Sequence, residues 1–256
     1  MRPKESVSAS AAFRAKSLVC LAYLAATIAV AQADERESVN VIVARMVAVL
    51  QEYKVRDRAF TVRRDYQLFD KKWESKAQVV VRITFEPPDR QRYEIESSRG
   101  GIGEKILRDI LDREMEAPQG ASQKELSTQN YDFRLAGEET VDGRRCYVLA
   151  LHPKREERDL IRGRALVDAE TYQLLRVEGE PVKSPSWWIR DLHITLSFAE
   201  VDGTWMRTLT HAVANVRFKG RYVVESRNLE YHSASAAGEP RKQPEHKVVF
   251  GSAIRY

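Results

Sequence analysis

Residues Trp187 to Phe218 read WWIRDLHITLSFAEVDGTWMRTLTHAVANVRF, and their hydrophobic period is two. Trp188, Leu192, Ile194, Leu196 and Phe198 fall on one face of a strand, and Asp191, His193, Thr195 and Ser197 on the other. Successive strand side chains point to opposite sides, so one face is apolar and the other polar. Asp202-Gly203 then turns the chain. Asp-Gly tolerates the positive φ that both central positions of the tightest hairpin turn need, so Trp187–Ala199 and Trp205–Phe218 read as an antiparallel pair.

The same pattern extends in both directions. Downstream, Gly220 opens a strand over Tyr222–Tyr231. Upstream, Tyr131–Gly137 and Arg145–His152 flank a second Asp-Gly at Asp142-Gly143, and Ile161–Asp168 turns through Ala169, Glu170 and Thr171 into Leu174–Glu180. Further back, Phe60, Val62, Tyr66 and Leu68 alternate with polar residues, interrupted by Arg64; Val79, Val81, Ile83 and Phe85 follow, then Tyr93 and Ile95. Two segments have helical period instead. Val39, Ile42, Val43, Met46, Val49, Leu50 and Tyr53 recur at steps of three and four behind Ser38 as N-cap, and Ile106, Leu107, Ile110 and Leu111 form a stripe within Glu104–Met115. Gly100, Gly101 and Gly103 ahead of it lack phosphate-loop spacing and read as a joint. Pro118–Asn130 reads as a loop or short surface helix. About nine or ten antiparallel strands, two or three helices and no βαβ alternation predict a mainly β (α+β) fold, an incomplete antiparallel barrel with helical cover.

The 256 residues suit one large domain or two small ones, and one is the reading. Residues 1–33 stand apart: Arg2, Lys4, Arg14 and Lys16 precede the uncharged run Ser17–Ala31, and Ala31-Gln32-Ala33 is a small-x-small cleavage pattern. This is the layout of a secretory signal cleaved after Ala33, the alternative being an uncleaved anchor. Cys20 lacks the small residues that a lipidation site needs before it. Losing four basic residues and one acidic residue takes the balance from 42 against 37 to 38 against 36, so the net falls from +5 to +2. No nucleic-acid partner is implied. The expected layout is a signal peptide at 1–33, the barrel at 34–232 and a polar tail at 233–256.

Cys146 then stands alone in an apolar stretch and reads as a buried hydrophobe rather than a reactive thiol. His152, His193, His211, His232 and His246 are scattered, without HExxH spacing or a GxSxG elbow, so no catalytic residue, metal site or cofactor is predicted. Lys154–Arg164 (KREERDLIRGR) mixes its charges as a solvated face does. Arg56, Arg58, Arg63 and Arg64 are candidates for an anionic head group or an acidic partner, or are surface charge diluted by Asp57 and Asp65. Trp188, Leu192, Ile194, Leu196 and Phe198 are candidates for lining an apolar cavity, or are plain core. Trp187 and Trp188, after Pro185, either sit at a cavity mouth or close a barrel edge.

The runs YDFRLAGEE (131–139), GRRCYVL (143–149) with Pro153 and Lys154, Gly163 with Val167-Asp168, RVEGEP (176–181) and KSPSWW (183–188) together resemble the bacterial outer-membrane lipoprotein-sorting family. This is the LolA-like superfamily, which also includes the sensor domain of a sigma-factor regulator. The resemblance covers about Ser38 to Tyr231; it departs after Trp205, where Met206, Arg207 and Thr208 stand in place of a common proline. It implies a half-barrel wrapped around helices, with a cavity that in the carriers holds lipoprotein acyl chains. Two functions follow as expectations. One is a periplasmic, non-enzymatic carrier of lipid or lipoprotein acyl chains with transient membrane contact; the other is a periplasmic envelope-stress sensor or interaction module with a protein partner.

Overall fold

A computed structural model describes residues 39–53, 59–87, 90–116, 126–157 and 160–233, and the backbone of 241–242. The expected signal peptide, Ser38, Arg56, Arg58, His246 and most of the tail lie outside these residues. Helix α1 spans 39–53. Strands β1 (Phe60–Asp70), β2 (Ser75–Glu86) and β3 (Arg90–Arg99) lead to helix α2 (Ile102–Glu116). Seven strands follow: β4 (Tyr131–Val141), β5 (Arg144–Pro153), β6 (Ile161–Asp168), β7 (Leu174–Pro181), β8 (Ile189–Val201), β9 (Thr204–Val216) and β10 (Gly220–Ser233).

These ten strands form one sheet in the order β3-β2-β1-β10-β9-β8-β7-β6-β5-β4, every neighbouring pair antiparallel, and the two ends do not meet. The polar tail is not wholly without structure. Strand β11 (Arg241–Lys242) pairs with Glu230 and Tyr231, just past the last β10 residues that pair with β9.

The register puts both helices on one face. A row of directly paired residues crosses the whole sheet: Ser98, Val79, Tyr66, Ser226, Thr210, Leu196, Val177, Ala165, Leu149 and Leu135. The adjacent row on the opposite face runs Arg99, Gln78, Gln67, Glu225, His211, Thr195, Glu178, Arg164, Ala150 and Arg134. The first is largely apolar and the second almost wholly polar, which is the alternation expected of a sheet with one buried face. The helices cover the two wings of this inner face. Val39, Ile42, Val43, Met46 and Leu50 of α1 pack on Leu149, Leu151, Val167, Leu174 and Leu196, while Leu107 and Leu111 of α2 pack on Tyr66, Leu68, Val79 and Val81. Each large apolar side chain buried this way contributes about 1.5–3 kcal/mol.

Both Asp-Gly pairs form the expected turns, with φ of 50° and 79° at Asp142-Gly143 and 49° and 81° at Asp202-Gly203. Gly100 is a close-approach glycine: at φ +118° its backbone lies so near β2 that an added Cβ would sit 2.4 Å from the Lys76 carbonyl oxygen. This seats the start of α2 against the sheet. One boundary differs from expectation. Strand β8 begins at Ile189, so Trp187 and Trp188 lie in the loop before it, and a bulge between Arg190 and His193, with Asp191 at φ 48°, breaks the alternation that joined Trp188 to Leu192.

Candidate functional site

Between the two helix-covered wings lies a seam on the inner faces of β8, β9 and β10. Its cover is partial. Ile189, Leu192 and Ile194 of β8, Ala212, Ala214 and Val216 of β9, and Tyr222 and Val224 of β10 are half-buried, whereas Leu149, Val177 and Leu196 under α1 and Tyr66 and Val79 under α2 are buried. Small Ala212 and Ala214 keep this strip low and apolar.

Beside the strip sits a polar cluster assembled from four elements. Arg64 of β1 donates to Asn228 Oδ1 at 2.7 Å and to the Arg207 carbonyl at 3.0 Å, where a bulge in β10 sets Asn228 opposite Arg64. Glu114 of α2 accepts from Arg207 Nη2 at 2.7 Å and from the Tyr66 hydroxyl at 2.8 Å, and it lies 3.6 Å from Arg64 Nη1. Burial, reinforced by the Glu114 carboxylate, pushes the Tyr66 phenol far above its ordinary value, so it stays a neutral donor. Two guanidinium groups thus share one carboxylate, leaving one positive charge in excess among these side chains.

Among the described residues, three buried side-chain polar atoms lack a hydrogen-bond partner, all on β9: Trp205 Nε1, Arg207 Nε and Thr210 Oγ1. Each such atom costs about 1–3 kcal/mol of uncompensated desolvation. With the excess positive charge, those of Arg207 and Thr210 give the seam an unmet capacity to bind a polar or anionic group beside an apolar strip, while Trp205 lies in the core against Tyr53 of α1. Among the described residues, no group of three or more His, Cys, Asp or Glu side chains could hold a metal ion. Cys146 is fully buried, and burial raises its thiol pKa.

The predicted residues are divided by the fold. Leu196 and Phe198 lie in the core under α1, Ile194 packs at its edge, Leu192 is half-buried beside the bulge, and Trp188 is in the loop. Arg63 and Arg64 point to opposite faces: Arg63 is ion-paired outside with Glu96 at 2.6 Å and Glu230 at 3.5 Å, while Arg64 is buried inside. They do not form one patch. Sequence reasoning missed Glu114, Arg207, Thr210 and Asn228, which come together only in three dimensions. The visible trace was Arg64 itself, a charge at an apolar-face position.

Comparison with solved structures finds similar chains at low identity. A domain assigned to outer-membrane lipoprotein sorting from Vibrio parahaemolyticus matches at 13% identity and TM-score 0.41 over 75% of this chain and 94% of its own. A LolA superfamily protein from Nitrosomonas europaea matches at 12% identity and TM-score 0.40 over 80% and 94%. MucB in the Pseudomonas aeruginosa MucA/MucB complex matches at 11% and 0.23 over 79% and 99%. The first two are of the superfamily that the sequence resembles. No family model matches the chain, and no curated protein matches it.

Proposed function

We propose that this protein is a non-enzymatic carrier that shelters acyl chains of a lipid or lipoprotein against its inner face, acting in the periplasm once its leader is removed. The supporting observation is the half-buried apolar strip on β8–β10, lying between the two core clusters that α1 and α2 seal. Each methylene taken from water contributes about 0.8 kcal/mol, so a chain of about a dozen carbons can be held without covalent chemistry. Leu192 and Ile194 contact such a chain first. Leu196 and Phe198 extend the contact beneath α1, and Arg207 and Thr210 face its polar end.

Native mass spectrometry of the protein purified from its host tests this reading. Co-purified lipid or lipoprotein supports it, as does binding of a fluorescent fatty acid that Ile194→Glu weakens by about tenfold. A protein that carries no lipid, binds no acyl probe and instead retains a protein partner overturns it and favours the envelope sensor.

A further inference from the structure

The two ends of the sheet differ in chemistry. One end carries the connections β4–β5, β6–β7 and β8–β9, tipped by Asp142-Gly143, Glu170-Thr171 and Asp202-Gly203. The other carries β1–β2, β5–β6, β7–β8, β9–β10 and the β3–α2 joint. At this second end lie most of the exposed large apolar side chains: Phe218 at 100%, Ile102 at 79%, Trp187 at 75% and Trp73 at 57%, with Trp188 beside them. Three of the four tryptophans in the sequence stand there.

The register shows that these residues share an edge. Asp70 pairs with Tyr222, which brings the β1–β2 turn beside the β9–β10 turn, and Ile189 pairs with Val216, which brings the β7–β8 loop to the other side of that turn. The Arg217 amide donates to the Trp188 carbonyl at 2.9 Å, and the Arg217 guanidinium stands 5.8 Å from the centre of the Trp187 ring. Three adjacent connections thus span six neighbouring strands, roughly 25 Å at the ordinary strand spacing.

The charge on this rim is predominantly positive. Lys71, Lys72, Lys183, Arg190, Arg217, Lys219 and Arg221 form no ion pair among the described residues and outnumber the acids nearby, of which Asp70 and Glu74 are bound to Lys76, Asp191 accepts from Asn215 at 3.2 Å, and Glu180 is exposed. Trp73 and Phe218 hold φ of 61° and 65°, a left-handed conformation that bulky side chains avoid. Strained turns that push aromatic rings into water need a purpose, and aromatic rings flanked by unpaired cations are the composition of a bilayer interface anchor.

We infer that this rim docks on an anionic lipid bilayer, its rings entering the head-group layer and its cations meeting lipid phosphates. The inference deepens the carrier reading, and rests on it only for the purpose of the contact. The half-buried strip on β8–β10 opens at the same end, between Ile189, Val216 and Tyr222, so an acyl chain leaving the bilayer there reaches the inner face directly.

Flotation of the mature protein with vesicles tests the docking. Phosphatidylethanolamine vesicles with about a third phosphatidylglycerol should carry the protein at low salt, pure phosphatidylcholine vesicles should not, and brominated lipid should quench tryptophan fluorescence. Phe218→Ser with Trp187→Ser, and separately Lys71→Glu with Lys72→Glu, should each weaken anionic-vesicle binding by about tenfold or more while leaving fluorescent fatty-acid binding unchanged. Absence of vesicle binding, or binding that these variants leave intact, overturns the inference even if acyl chains are carried. Loss of an envelope-protein complex in the same variants, with vesicle binding unaltered, assigns the rim to a protein instead.

Discussion

Glu114 receives the Arg207 guanidinium at 2.7 Å, which ties α2, lid of one wing, to the strand that borders the other. Removing that carboxylate leaves Arg64 and Arg207 facing each other at the seam. Glu114→Gln, which keeps the shape and one acceptor, is expected to destabilise the fold by about 2–3 kcal/mol, less than a fully buried pair because Arg207 is partly hydrated. A urea midpoint lowered at unchanged slope is the readout, and an unaltered midpoint would show that the two arginines are adequately solvated.

Thr210 offers the opposite case. Its hydroxyl oxygen is buried without a partner, so Thr210→Val replaces an unmet polar atom by a methyl of similar volume. Stability should rise by about 1 kcal/mol, seen as a higher thermal midpoint. If the hydroxyl serves a ligand's polar end, the same variant binds an acyl probe with a charged head more weakly than one without.

A pH effect is expected from the outer face. His211 of β9 lies with Nε2 3.8 Å from Glu225 Oε1, too long for a hydrogen bond, and burial lowers its pKa below 6.5, with Arg221 of β10 and His193 of β8 acting in the same sense. Between that lowered value and 6.5 the unfolded chain binds more protons than the folded one. Stability therefore rises with pH through the window and is lost as pH falls through it. Burial raises the Glu225 carboxyl, which gives the opposite slope above its own ordinary value, so the comparison must be with His211→Gln. Urea midpoints measured from about pH 7.5 down to about pH 5.5 should fall less in the variant than in the native protein.

Phe218 should show a trade between stability and contact. It is fully exposed at φ 65°, and asparagine tolerates that conformation better than phenylalanine. Phe218→Asn is expected to raise stability by about 0.5–1 kcal/mol while weakening attachment to anionic vesicles. Calorimetry and flotation on one preparation measure both.

The hairpins were legible because Asp-Gly carries its own conformational instruction and a period of two sorts every strand by face. Trp188 was misplaced onto β8 because period alone is blind to a bulge: Asp191 adds a residue that pattern counting cannot distinguish from continued strand. The seam was illegible for a different reason. Arg64, Tyr66, Glu114, Arg207, Thr210 and Asn228 come from β1, α2, β9 and β10, and no spacing along the chain links residue 64 to residue 228. The rim was half legible: Trp187-Trp188 drew notice as a possible mouth, but Lys71-Lys72-Trp73 and Arg217-Phe218-Lys219 become neighbours only through the order β2-β1-β10-β9-β8.

The failure of β3 to meet β4 has a mechanical consequence. A closed barrel has its bore set by strand number and shear, and widening it means breaking a ladder of backbone hydrogen bonds. Here no ladder joins the outermost strands, so the sheet can flatten or tighten its curl with every existing pair intact, at the cost of side-chain repacking alone. The outermost strand β3 is guarded against strand addition by its charges, among them Arg90, Arg92, Glu94, Glu96 and Arg99. The girth of this sheet is therefore set by side-chain packing and by ties such as Glu114 to Arg207, not by a closed ring of backbone hydrogen bonds.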